Sequence, residues 1–78
     1  MAIAHWNKGD DWVITVLAPS NPKQIDSLAY ERFSLYRPGM RVSEYIEATK
    51  STSRPQYARQ DLTWDSERGF IRIDPQLR

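Results

Sequence analysis

The stretch RPQYARQDLTWDSERGFIRI (residues 54–73) decides how this chain is read. Pro55 suits a first helical turn, where its missing N–H costs nothing. Gly69 suits the left-handed residue that closes a helix. Between them, Tyr57, Ala58 and Leu62 share a broad inner face at helical spacing, with Trp64 closing that face or packing just beyond it. Phe70-Ile-Arg-Ile73 then reads as a short strand ended by Asp74-Pro75. A helix over Pro55–Ser66, placed this way, either reads a nucleic acid or only completes a small core.

Working outward, Trp12-Val-Ile-Thr-Val-Leu17 is rich in β-branched residues and stops at Ala18-Pro19, so it reads as a strand. Apolar residues on both alternating faces predict a central or doubly covered position. Ala2-Ile-Ala-His-Trp6 is a weaker strand, joined to it by the turn-like Asn7-Lys8-Gly9-Asp10. Residues 1–11 therefore either fray or form a short edge strand. After the loop Pro19-Ser-Asn-Pro22, residues Ile25, Leu28, Ala29, Phe33 and Tyr36 fall on one helical face, with Gln24, Glu31 and Arg32 on the polar side. Arg37-Pro38-Gly39 ends that helix. A second helix carries Val42, Tyr45, Ile46 and Thr49 inward and Glu44 and Glu47 outward; Ser53 is a candidate cap for the third.

The expected architecture is a single α+β domain over residues 1–78. Three short helices pack on a two- or three-stranded sheet in the order (β)βαααβ, with a helix-turn-helix-like core. The late strand pairs with Trp12–Leu17. At 78 residues the chain stands near the lower size for one self-sufficient core. It relies on large side chains, and a homodimer is a natural reinforcement.

Charge is unevenly spread behind the net +1. Arg32, Arg37, Arg41, Lys50, Arg54 and Arg59 face only Glu44 and Glu47 in the middle of the chain, while both ends are mildly acidic. Such a local excess either attracts phosphate or is an ordinary solvated face. With no cysteine, disulfides and thiolate metal sites are excluded. No stretch approaches the ~20 apolar residues of a membrane span, and the start does not resemble a signal peptide. The expected setting is cytoplasmic, without membrane or cofactor.

Chemistry for an enzyme is absent from the sequence. His5 is the only histidine and has no candidate nucleophile beside it. Asp10-Asp11 and the group Asp61, Asp65 and Glu67 lack the spacing of a calcium loop. They read as turn residues and helix charges, the second group repelling phosphate. No catalytic residue or metal site is expected.

A nucleic-acid interface has more to support it. Gln56, Arg59, Gln60 and Thr63 are separated by three, one and three, which places them on one stripe of the third helix. Arginine and glutamine are the side chains that pair with guanine and adenine edges. Arg41, Lys50 and Arg54, near the turns, are suited to phosphates. Against this, the connector from Lys50 to Arg54 exceeds the usual turn of about three to four residues, and the single following strand cannot supply a wing hairpin.

Asn21-Pro-Lys23, YERFSLYRPGM (30–40), VSEYIEA (42–48) and DLTWDSERGFIRI (61–73) together resemble small uncharacterised phage, prophage and mobile-element proteins with a helix-turn-helix-like pattern. The resemblance covers residues 21–73. It implies a compact helical domain with a terminal strand and carries no activity with it. In this chain Arg41 occupies the place of a capping Ser or Thr before the second helix. DNA is therefore the first expected partner. The alternative is a protein–protein interaction module, an accessory or inhibitor protein of such an element acting on a host protein. Its anchors would be Trp6, Trp12, Tyr30, Tyr36 and Trp64, aromatic residues of the kind that dominate interfaces.

Overall fold

A computed structural model describes residues 8–52 and 54–75. It is a small α+β structure in the order βαααβ: β1 (Val13–Val16), α1 (Leu28–Phe33), α2 (Val42–Thr49), α3 (Ala58–Glu67) and β2 (Ile71–Asp74), with a 3-10 turn at Pro55–Tyr57 leading into α3. The expected edge strand at 2–6 and the cap at Ser53 lie outside the described residues.

β1 and β2 pair antiparallel, with Ile14 opposite Ile73 and Val16 opposite Ile71. In β2 the alternation is clean: Ile71 and Ile73 are buried and Arg72 is exposed, as in a strand with one face on a core. β1 belongs to a two-stranded sheet and, apart from the buried Ile14, is half-buried rather than covered on both faces. On its other edge Ile14 N–H donates to Met40 O at 2.8 Å, Gly39 N–H donates to Ile14 O at 3.0 Å, and Val13 bridges Arg41. The same edge starts α2. Val42 N–H and Ser43 N–H, which no helix of its own can satisfy, donate to Trp12 O and Asp10 O, both at 2.9 Å. Arg41 is the N-cap residue, and its N–H donates to the Glu44 carboxylate at 2.8 Å. Glu44 thus supplies the reach-back half of a capping box.

α1 is shorter than its apolar spacing suggests. Asp26 takes a left-handed φ of 73°, and Ser27 Oγ accepts the Tyr30 N–H at 3.0 Å. The helix therefore begins after Ile25, which stays exposed. Past Phe33 the chain continues in tight turns that still deliver Tyr36 to the core. α3 ends in a Schellman motif: Phe70 N–H donates to Asp65 O at 3.0 Å and Gly69 N–H to Ser66 O at 3.2 Å. Gly69, at φ 78°, supplies the left-handed residue that this turn requires. The chain then reverses directly into β2.

The core consists of Ile14, Phe33, Tyr36, Val42, Tyr45, Ala58, Leu62, Ile71 and Ile73. Tyr36 and Tyr45 stack at 4.4 Å, and Phe33 meets Tyr36 edge-on at 4.9 Å. Ile46 packs against this cluster from α2. Tyr57 and Trp64 do not join it; both are exposed.

Candidate nucleic-acid interface

α3 is held by its inner face, and that face includes two carboxylates. Ala58, Leu62 and Asp65 are buried. Lys23 reaches Asp65 from the loop before α1, its Nζ 2.6 Å from Oδ1, and the Tyr36 hydroxyl donates to Oδ2 at 2.8 Å. One turn earlier, Asp61 accepts from Arg32 Nε, and more distantly from Arg32 Nη2 at 3.4 Å and the Tyr45 hydroxyl at 3.5 Å. Arg32 was read as part of a polar face; it is buried between Asp61 and the ring of Tyr57, whose centroid is 5.6 Å away.

Burial dominates the electrostatics of this layer. It pushes the Tyr36 hydroxyl far above the phenol range, helped by the neighbouring Tyr45 and the charge of Asp65. Burial raises Tyr45 in the same way, with Asp61 adding to it. Burial also lifts the Asp61 carboxyl above its ordinary value, because its desolvation outweighs the pull of Arg32. For Arg32 the balance runs the other way: burial lowers it, but the hydrogen bond and charge of Asp61 hold it above its usual value.

With Asp61 and Asp65 turned inward, the exposed side of α3 has a different centre from the expected stripe. Gln56, Gln60 and Trp64, spaced by four, are exposed and lie along one line of the 3-10 turn and helix. Arg59 is exposed on one flank, its Nη2 3.8 Å from Asp10 Oδ1. Thr63, expected on the stripe, is half-buried and donates its hydroxyl to Arg59 O at 3.0 Å. Glu67 is the exposed carboxylate at the end of the helix. Arg54 is exposed just before the 3-10 turn. Thus Arg54, Gln56, Arg59 and Gln60 come together on one continuous segment.

Arg41 and Lys50 stand apart from them, at the two ends of α2. Both are exposed, and Lys50 is paired with Glu47 at 2.9 Å. Arg68 was not singled out in the sequence; Trp64, read there both as closing the inner face and as an interface anchor, lies on the surface. The Arg68 guanidinium lies 4.0 Å from the centre of the Trp64 ring, and Trp64 is 43% exposed. The spacing carries the signal for this placement, since Trp64 follows Gln60 by four.

Among the described residues no group of three or more His, Cys, Asp or Glu is placed to hold a metal ion, and no helix is long and apolar enough to cross a membrane. No family model, curated protein or solved structure matches this chain.

Proposed function

We propose that the chain is a non-enzymatic DNA-binding module that presents the 3-10 turn and α3 to a duplex. The supporting observation is the inward placement of Asp61 and Asp65, each matched by a cation from outside α3. Their charge, which on an outer face would repel phosphate, is neutralised within the fold. Gln56, Arg59 and Gln60 are exposed and are of the types that hydrogen-bond to base edges. Arg41, Lys50 and Arg54 supply charge for the backbone. α2 and α3 take the parts of a helix-turn-helix pair, with a connector longer than usual. Replacing Gln56 and Arg59 by alanine together tests this. Binding to a labelled duplex should be abolished, with the melting temperature lowered by only a few degrees. Loss of the fold instead would make the stripe structural.

A second reading, a module that grips a protein, has its own support. Ile25, Leu28, Tyr57 and Trp64 are exposed large apolar side chains, of the type that anchors interfaces. A protein partner would remain bound in salt that removes DNA affinity, and affinity capture at such salt separates the two readings.

A further inference from the structure

We infer that Arg68, held on the face of Trp64, is a preorganised phosphate anchor for the far side of the groove that α3 enters. This rests on the DNA reading and extends it to residues that the reading does not need. Among the described residues no carboxylate pairs with Arg68, as with Arg37, Arg41 and Arg54, whereas Lys23, Arg32, Lys50, Arg59 and Arg72 each have one; what sets Arg68 apart is its aromatic seat. The contact that fixes Arg68 is the indole, 4.0 Å from the guanidinium carbon. A guanidinium stacked on an aromatic face keeps its N–H edge free and loses less freedom when it grips a phosphate with paired hydrogen bonds.

Placement supports the same role. Arg59 and Arg68 are nine residues apart, about two and a half helical turns. They therefore sit on opposite flanks of the exposed face, with Gln60 and Trp64 between them. Across the helix they are separated by about its diameter with side chains, ~10–12 Å, against a major groove about 12 Å wide. A helix lying in that groove would bring one arginine to each phosphate wall. Trp64 is a positioning residue here, since its surface holds the cation in place.

The test separates charge from position in the full chain. Binding of a labelled random-sequence duplex is followed by anisotropy from ~50 to ~200 mM salt. Arg68→Ala should reduce the slope of log affinity against log salt by about one and weaken binding several-fold at the lowest salt. Trp64→Ala should weaken binding while leaving the slope intact, because the charge remains and only its placement is lost. Trp64→Phe, which keeps an aromatic face, should restore most of the affinity. Thermal melting of each variant confirms that the fold persists. An unchanged slope in Arg68→Ala, with binding still abolished by the Gln56→Ala/Arg59→Ala pair, overturns the anchor and leaves the DNA reading standing. Absence of duplex binding by the unaltered chain overturns both.

Discussion

Lys23 and Asp65 are joined across the molecule, Nζ to Oδ1 at 2.6 Å, with the carboxylate side chain 2% exposed and the lysine 16%. The pair ties the loop before α1 to the last turn of α3, and the Tyr36 hydroxyl donates to the carboxylate's other oxygen. A buried pair of this kind gives little net stability over an apolar substitute, but removing one member leaves the other charge stranded.

Asp65→Ala should therefore cost about 3–5 kcal/mol, a large part of what so small a domain has. Chemical denaturation measures it. A loss below about 1 kcal/mol would mean that water reaches Lys23 as freely as it does a surface lysine.

Alkaline pH should unfold the protein through Tyr36 and Tyr45. Both hydroxyls are raised above the ordinary value of 10.0. For a raised acid the folded state holds its proton longer than the unfolded chain. That contribution is thus complete below pH 10.0 and lost as pH climbs toward the folded values. Tyrosinate absorbance from these two residues should appear together with the loss of tertiary structure. Their titration in a protein that remains folded would show the stacked pair to be open to solvent.

Asp10→Asn should strengthen duplex binding severalfold by releasing Arg59 from a competing carboxylate. The pair is long at 3.8 Å and exposed on both sides, so the melting temperature should scarcely move. Anisotropy and thermal melting on the same sample read both quantities. Weaker binding in this variant would place Asp10 among the groups that orient Arg59.

Gly69→Ala should destabilise by about 1–2 kcal/mol, because φ is 78° there while the space for a methyl group is open. The penalty is conformational. A substitution without effect, read by urea melts, would mean that the α3-to-β2 turn relaxes without harm.

Much of the fold was legible because its signals are local. The β-branched run of β1, the apolar spacing of α2 and the Gly69 turn into β2 each lie within a few residues. α1 was overextended because Ile25 matches the apolar period, while the left-handed Asp26 and the Ser27 cap stop the helix first. The polar layer was not legible. Asp61 meets Arg32, and Asp65 meets Tyr36, across 29 residues of sequence, and no periodicity records such a partner. The same hidden pairing turned two expected phosphate-repelling charges into interior contacts.

The most direct measurement is the affinity of the unaltered chain for a labelled random duplex as salt rises from ~50 to ~200 mM. If Arg54, Arg59 and their neighbours contact several phosphates, affinity should fall by orders of magnitude over that range. No binding at the lowest salt, or binding indifferent to salt, would contradict DNA recognition by α3 and assign its exposed face to a protein partner.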